Sequence, residues 1–263
     1  MANRFERFAA GYKARNFIQR RIASELIAEL NSINLAAAET CRAELNGKLP
    51  KREFCFWEKL KVLDLGSGDG AVYSAIADLN PTDPDASARE VKEFFALDFS
   101  KSLLQLHPSG EKIRKIRADF NDPDAIAALR NYAPFDLVIS SCSLQWAGDL
   151  ANLLAAIAKL TDKIALAILT DRTLAVLREL SKSPKQMPSA EFLRSAIAQN
   201  FPKAKFQTRS YRAEFADTKE LFKYIRESGV GGGEKRLNFA ETKRLIAEFP
   251  HKYLDYEALF AIA

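Results

Sequence analysis

The order of apolar and polar positions along the chain predicts a protein that alternates strands and helices. Apolar side chains recur at helical spacing across residues 17–30, at Phe17, Ile18, Ile22, Leu26, Ile27 and Leu30. Further along, short apolar runs alternate with stretches that are compatible with helices. The runs are KVLDL, EFFALDF, KIRKIRADF, FDLVISS and KIALAILT. This alternation is typical of a mostly parallel sheet with helices on both faces.

The segment after Phe201 carries a different pattern. Two more strand-like runs, AKFQTRSYRAEF and YLDYEALFAIA, are separated by helices near 217–228 and 239–248. Their short spacing favours a final strand that is inserted antiparallel to its neighbours. We therefore divide the chain into an N-terminal helical extension at residues 1–57 and an α/β domain at residues 58–263.

Composition and charge narrow the classes of function. The chain has 263 residues, 48% of them hydrophobic, which suffices for one large α/β domain. The formal charge of +5 is modest, and no block of five or six like charges occurs. We therefore expect no nucleic-acid partner, although an acidic protein partner is compatible with this balance. No apolar run reaches the length of a membrane span, so we expect no membrane partner.

The cysteines and histidines argue against a metal site. Cys41, Cys55 and Cys142 are odd in number and lack the Cys-x-x-Cys spacing, and the sequence holds two histidines, His107 and His251. Cysteine usage of this kind is typical of a reducing compartment. We therefore expect a cytoplasmic protein that binds no metal.

The segment KVLDLGSGDGAVYSAIADL places glycines at the end of the first predicted strand of the sheet. In an open α/β sheet, a ligand at this loop approaches backbone N–H groups at a helix N-terminus. The dinucleotide pattern G-x-G-x-x-A is matched by Gly66, Gly68, Gly70 and Ala71. A tight turn without any ligand is a further alternative. Asp64 favours a cationic ligand, because a carboxylate stabilises an ammonium or sulfonium group and repels a pyrophosphate.

The next two predicted strands end in further polar candidates. Asp98 closes EFFALDF, where its carboxylate is placed to accept hydrogen bonds from ribose hydroxyls. Asp119 and Phe120 end the following run, where a carboxylate can accept from an adenine amino group and a ring can cover the adenine face. Core packing is the alternative for Phe120. For Asp119 the alternative is a helix N-cap, a role that we assign instead to Asn121 or Asp122.

In this order and spacing, VLDLGSGDG, ALDFS, ADF and SSCSLQWAGDL resemble the class I S-adenosylmethionine-dependent methyltransferases. Three longer stretches resemble one member family, the malonyl-[acyl-carrier protein] O-methyltransferases of biotin synthesis. They are RFERFAAGYKARNFIQRRIASELIAEL, LQWAGDLANLLAAIAKL and YIRESGVGGGEKRLNFAETKRLIAEFPHKYLDYEALFAIA, which together with the shorter motifs span nearly the whole chain. The resemblance implies a Rossmann-like, mostly parallel seven-stranded sheet with an antiparallel last strand. It also implies a lid within residues 1–57 and acceptor-recognition elements within residues 171–250.

The resemblance further implies S-adenosylmethionine as the cofactor. Gly66, Ser67 and Gly68 would form the backbone floor beneath its methionine part. Asp64 would face its ammonium group. The full implied set of cofactor-binding residues is Tyr12, Asp64, Gly66, Ser67, Gly68, Asp98, Phe99, Asp119, Phe120 and Ser141. The chain departs from the family pattern at Lys13, where relatives often carry an acidic residue, and at Ser141, where they often carry Asn.

The acceptor in this family is the free carboxylate of a malonyl thioester, carried on an acidic acyl-carrier protein and converted to its methyl ester. A carboxylate is ionised near neutral pH, so the reaction needs no general base, which suits a chain with two histidines. The residues expected to orient the acceptor for catalysis are Tyr12, Gln145, Trp146 and Arg226. Core packing is the alternative for Trp146, and a solvated helix face is the alternative for Arg226.

Two other functions are compatible with the sequence. One is methyl transfer to another small carboxylic acid or to a quinone precursor, and the segment around Arg226 argues against it. The other is a non-catalytic S-adenosylmethionine-binding protein that serves assembly or regulation. Asp64, Asp98 and the glycines report on cofactor binding alone, so they do not separate this second alternative from an enzyme.

Overall fold

The computed structural model describes residues 16–44, 57–79, 91–182, 187–228 and 239–263. Within these ranges, one seven-stranded sheet has the strand order β3-β2-β1-β4-β5-β7-β6. Its strands are β1 (Lys61–Leu65), β2 (Glu93–Asp98), β3 (Ile113–Arg117), β4 (Leu137–Ser141), β5 (Ile164–Leu169), β6 (Lys205–Glu214) and β7 (Tyr253–Ile262). Each strand run identified in the sequence forms one of these strands, so the predicted sheet is confirmed.

The directions of the strands also follow the prediction. β1 pairs in parallel with β2 and β4, and β3 and β5 extend the parallel set outward. β7 runs antiparallel to β5 and β6, between which it is inserted. The strand order reverses between β1 and β4. The carboxyl ends of β2, β1 and β4 therefore meet at the crevice where open α/β sheets bind ligands.

Helices cover both faces of the sheet. They are α1 (Phe17–Glu44), α2 (Ala71–Ala77), α3 (Lys101–Leu106), α4 (Pro123–Ala128), α5 (Leu150–Ile157), α6 (Ala175–Ser181), α7 (Ala190–Asn200), α8 (Thr218–Ser228) and α9 (Phe239–Glu248). The helix predicted over 17–30 is confirmed and continues to Glu44, because the alanine-rich stretch that follows Asn34 has high helix propensity without an apolar period. In the part of the chain that the structure describes, no helix combines the length and the apolar character needed to cross a membrane.

Alternate residues of the strands supply two apolar layers, one on each face of the sheet. Val62 and Ile139 belong to the layer that contains α1, whereas Leu63 and Val138 belong to the layer that contains α5 and α7. β5 is buried along its whole length, as its continuous IALAIL run leads one to expect. Truncation of one buried α1 residue, such as Ile22→Ala, is expected to destabilise the fold by about 2–5 kcal/mol.

The N-terminal helix is therefore packed as part of the α/β core. Its buried side chains are Ile18, Ile22, Ala23, Leu26, Ile27 and Leu30, and they share a layer with the central strands. The boundary between the extension at 1–57 and the domain at 58–263 stays a prediction, because residues 1–15 and 45–56 lie outside the described ranges.

Candidate active site

The loop after β1 turns sharply at three glycines. Gly66, Gly68 and Gly70 have φ angles of 74°, 54° and 85°, in the left-handed region that favours glycine. A Cβ on Gly66 would overlap Ser143, and one on Gly70 would overlap Pro108, so contacts inside the chain require these two glycines. A Cβ on Gly68 would meet nothing within 4 Å. The loop thus combines a tight turn with one open position, Gly68, where a ligand can approach the backbone.

Asp64 is a buried carboxylate without a partner. It lies in β1 with 0% of its surface exposed, and neither carboxylate oxygen accepts a hydrogen bond. Burial raises the pKa of Asp64 well above its usual value, and the charge of Asp98 raises it further. An isolated buried carboxylate is strongly unfavourable unless it is protonated or meets a cation. The position is therefore suited to an ammonium group that a ligand brings.

Asp98 is fixed at the end of β2 by the backbone. One of its carboxylate oxygens accepts from the Gly68 N–H at 2.9 Å, and the other accepts from the Ser100 N–H at 2.8 Å. Ser100 in turn caps α3, where its hydroxyl accepts from the Leu103 N–H at 3.2 Å. These bonds orient the carboxylate and tie the open glycine of the loop to β2. Asp98 therefore lies where the sequence predicts a partner for ribose hydroxyls.

Asp119 and Phe120 follow β3, and Phe120 lies beside the glycine loop. The Asp119 carboxylate accepts from the backbone and side-chain N–H groups of Asn121 at 2.8 and 3.1 Å. The N-cap of α4 is Asp122, one of the two residues to which the sequence assigned this role. Phe120 is buried, and its ring edge lies 3.5 Å from where a Cβ on Gly66 would stand. Phe120 is thus both a core residue and a neighbour of the loop.

The end of β4 is tied to the end of β1 by two hydroxyl groups. Ser140 Oγ and Ser143 Oγ each donate to Leu65 O at 2.7 Å. Between them, Cys142 has a φ of 54°, a strained value for a residue with a Cβ and one that is enriched at functional sites. Ser141 Oγ lies 3.9 Å from the Cys142 sulfur. These contacts hold Ser141 and Cys142 beside the glycine loop.

Gln145 and Trp146 follow in a short 3-10 turn rather than at the start of an α-helix. Gln145 is buried, and its Nε2 donates to Cys142 O at 2.7 Å while its Oε1 has no hydrogen-bond partner. The unpaired atom of this amide is therefore an acceptor. Trp146 is half-buried and packs against both apolar layers, in keeping with the core-packing alternative.

The remaining predicted site residues are Phe99, Arg226 and Tyr12. Phe99 is half-buried directly after β2, and its carbonyl accepts from Arg117 Nε at 3.4 Å. Arg226 is exposed in the last turn of α8. Tyr12 falls outside the described residues. Across the described ranges, no group of three His, Cys, Asp or Glu side chains could hold a metal ion.

An ion pair that the sequence patterns do not reveal joins α1 to the glycine loop. Asp69 is buried within the loop, where it pairs with Arg20 and accepts from Asn16 Nδ2 at 3.4 Å. Arg20 Nε also donates to Asn16 Oδ1 at 3.2 Å. Arg20 is 49 residues from Asp69, and no local pattern marks a partner at that distance. The N-terminal helix therefore helps to position the loop.

Comparisons with known proteins agree with this architecture. YcgJ from Bacillus subtilis has a TM-score of 0.52 at 14% identity, and the match covers 78% of this chain and 92% of YcgJ. A proposed methyltransferase from an antibiotic biosynthesis pathway of Anabaena variabilis has a TM-score of 0.52 at 13% identity, covering 86% and 96%. A search of curated proteins finds no match. A family model described as a methyltransferase domain matches residues 57–229, so the chain belongs to the methyltransferase-domain family.

Proposed function

We propose that this chain is an S-adenosylmethionine-dependent carboxyl O-methyltransferase that converts the malonyl group of malonyl-acyl-carrier protein to its methyl ester. The observation that carries the cofactor part is the buried, unpartnered Asp64 beside the open Gly68. The acceptor part rests on the resemblance of the N-terminal segment, the Gln145–Trp146 pair and the C-terminal segment to the biotin-synthesis family. In that family the ester removes a charge, so the malonyl unit resembles an ordinary growing acyl chain.

The described residues fit S-adenosylmethionine. Asp64 offers two unpaired oxygens for its ammonium group, and the buried Ser67 Oγ, also without a partner, belongs to the same loop. Asp98 would hold the ribose hydroxyls, and Phe120 would lie against the adenine. When bound, this cofactor supplies an electrophilic methyl group on a sulfonium. The chain itself supplies the anionic surroundings that stabilise a cationic ligand.

Methyl transfer to a carboxylate requires little acid–base chemistry from the protein. The acceptor oxygen takes the methyl group and no proton moves, because a malonyl carboxylate is ionised near neutral pH. Both histidines make contacts within the fold: His107 Nδ1 bonds to Pro108 O at 2.9 Å, and His251 stacks on Tyr253 at 4.5 Å. The task of the chain is therefore to hold the carboxylate in line with the methyl carbon, at about 3–3.5 Å, and to exclude water.

An exposed basic stripe on α8 supports an acidic carrier protein as the partner. Lys219, Lys223 and Arg226 recur at helical spacing on the exposed side of this helix. Arg209 lies elsewhere, on β6, where it pairs with Glu29 of α1. Exposed charges of one sign accelerate the encounter with a partner of the opposite sign.

Transfer of a labelled methyl group from S-adenosylmethionine tests the proposed function. We expect malonyl-carrier protein to gain one base-labile methyl ester, and free malonate to react far more slowly. Transfer to a different carboxylic acid or to a quinone precursor, with none to malonyl-carrier protein, would reassign the acceptor. Intact binding of S-adenosylhomocysteine with no transfer to any of these acceptors would favour the non-catalytic alternative.

A further inference from the structure

Strand β7 carries a buried tyrosine past the carboxyl end of β5. β7 runs antiparallel to β5, and Leu169 pairs with Ala258 at the last residue of β5. The β7 residues that precede Ala258 therefore extend beyond that end, at the same edge of the sheet as the glycine loop. Tyr256 lies in this extension, is 1% exposed, and belongs to the apolar layer that contains α1.

Tyr256 meets a second buried tyrosine, Tyr224 of α8. Their hydroxyl oxygens are 3.3 Å apart and share one hydrogen bond. Tyr256 donates to Tyr224, and each tyrosine hydroxyl carries one proton, so the Tyr224 hydroxyl keeps a proton that no described residue accepts. Tyr224 is only 6% exposed, so bulk water offers this donor little compensation. A buried donor without an acceptor is a place for an oxygen atom of a ligand.

The strained Cys142 packs against the same apolar layer as this pair. Burial raises the pKa of Tyr224 to about 12, and the neighbouring Cys142 contributes to the rise. Burial also raises the pKa of Tyr256 well above its usual value, with contributions from Tyr224 and Cys142. The pKa of the Cys142 thiol is itself raised by burial to about 12. All three groups are therefore neutral near pH 7, and the two hydroxyls remain donors.

A third tyrosine in the same layer provides a contrast. Tyr211 of β6 lies opposite Tyr256 in the strand register, and its hydroxyl donates to Glu25 Oε2 at 2.8 Å. Its proton is therefore satisfied within the protein. The unsatisfied donor belongs to the Tyr224–Tyr256 pair.

We propose that the Tyr224–Tyr256 hydroxyl pair binds an oxygen of the acceptor carboxylate, a role that rests on the proposed carboxyl methylation. Neutral donors orient a carboxylate and leave its charge available for attack, whereas a close arginine would draw on that charge. Cys142, which packs against the same apolar layer as the pair, follows β4 directly, and its carbonyl is bound by Gln145. The acceptor is thereby placed beside the glycine loop, where the methyl group must be met.

The test removes each hydroxyl in Tyr224→Phe and Tyr256→Phe, with Tyr253→Phe as the matched control. Tyr253 lies on the same strand as Tyr256, three residues before it, and is half-buried rather than buried. Its ring stacks on His251. We expect KM for malonyl-carrier protein to rise about 10–100-fold in the two variants, as for the loss of a hydrogen bond to a charged group. Affinity for S-adenosylhomocysteine should stay within about twofold. The control should change neither quantity.

Calorimetric binding of malonyl-pantetheine to the S-adenosylhomocysteine complex adds a readout apart from turnover, and we expect the same loss of affinity there. Wild-type turnover with unchanged KM and acceptor binding in both variants would remove the pair from the site and leave the proposed function intact. Methylation of another carboxylic acid alone, lost in both variants, would overturn the malonyl assignment and retain the pair. If Tm and cofactor affinity fall in parallel with turnover, the hydroxyls serve the fold, and the inference is overturned. If the wild-type protein methylates no carboxylate at all, both the inference and the proposed function are overturned.

Discussion

The buried carboxylates Asp64 and Asp98 lie at the ends of β1 and β2, whereas the buried tyrosines Tyr224 and Tyr256 meet past the end of β5. Asp64 has two oxygens without hydrogen-bond partners. Tyr224 and Tyr256 share one hydrogen bond and retain a spare proton. Asp64 therefore provides surplus acceptors that suit a cationic cofactor, and the tyrosine pair provides a surplus donor that suits an anionic acceptor.

This difference shows how one sheet edge can hold two ligands of opposite charge. The proposed reaction combines a cationic methyl donor with an anionic acceptor, and opposite charges attract each other strongly in a medium of low dielectric constant. Separate binding groups of opposite character orient each ligand before the two charges combine. Variants that affect one region and spare the other therefore test whether the two regions bind different ligands.

The largest effect is expected from Gly68→Arg. The position has a φ of 54° and its Cβ would face open space, so a long side chain would fill the region into which the cofactor must fit. We expect a loss of S-adenosylhomocysteine affinity of about 100-fold or more by isothermal titration. Gly110→Arg, at an exposed glycine outside the loop, is the matched control and should bind normally.

Asp64→Asn should lower the affinity for the cofactor and stabilise the ligand-free protein. Loss of a charge-assisted contact predicts about 10–100-fold lower affinity for S-adenosylhomocysteine. The raised pKa of Asp64 means that the folded state binds the proton more tightly than the unfolded state. Stability therefore falls as pH rises from the usual aspartate pKa to the raised one, and the amide removes this loss. Thermal unfolding should show a higher Tm for the ligand-free variant near neutral pH, and a lower Tm would contradict the assignment.

Arg20→Ala should have a smaller effect, through the glycine loop. The variant breaks the pair with the buried Asp69, so we expect roughly a three- to tenfold loss of S-adenosylhomocysteine affinity and a lower Tm. Arg21→Ala removes a neighbouring arginine whose side chain is 63% exposed and pairs with Glu25 on its own helix. This control should lose little affinity. Equal losses in the two variants would show that the effect is not transmitted through Asp69.

The smallest effects are expected on the outer face of α8. Lys219→Glu and Lys223→Glu should raise KM for malonyl-carrier protein by a few-fold at low salt, with the difference shrinking as salt screens charges over about 8–10 Å. Lys159→Glu, exposed after α5, is the matched control. KM for malonyl-pantetheine should stay unchanged, because that acceptor lacks the carrier surface.

Arg226 offers a way to distinguish docking from direct recognition. As a member of the exposed stripe, Arg226→Ala should behave like the lysine variants and Arg226→Lys should restore KM. As a residue that orients the acceptor, which the sequence analysis expects, Arg226 should instead affect KM for malonyl-pantetheine too. Lysine should then restore KM incompletely, because only a guanidinium can bind both oxygens of a carboxylate through two parallel N–H groups.

The cofactor region could be predicted from the sequence because its parts are local. Asp64 and the glycines lie in one strand–loop–helix unit, and Asp98 ends the next strand, so the parallel order of the sheet brings them together. The apolar runs were equally informative, because a buried strand must be apolar along its length, as β5 is. Spacing within the chain therefore sufficed for the fold and for bringing these residues together, whereas their contacts with a cofactor stay a prediction.

The acceptor region could not be predicted in the same way, because its groups come from distant elements. In the sequence, Tyr256 has the pattern of an ordinary strand residue. It lies past the end of β5 only because β7 is inserted antiparallel to β5. Its partner Tyr224 is 32 residues away on the buried side of α8. The pairing of Arg20 with Asp69 is hidden for the same reason. Long-range pairing of polar groups leaves no periodic signal in a sequence.

The central claim is that Asp64 binds the ammonium group of a cationic cofactor. It is tested by isothermal titration of S-adenosylhomocysteine and of NAD into the wild-type protein, in buffers of different ionisation enthalpy from about pH 5 to 8. Because burial raises the pKa of this carboxyl in the free protein and an ammonium group favours its ionised form, binding should release a proton wherever the free protein holds Asp64 protonated. The account predicts binding of S-adenosylhomocysteine with proton release that disappears in Asp64→Asn, and no binding of NAD. Measurable NAD affinity, or S-adenosylhomocysteine binding with the same proton balance in both proteins, would contradict it.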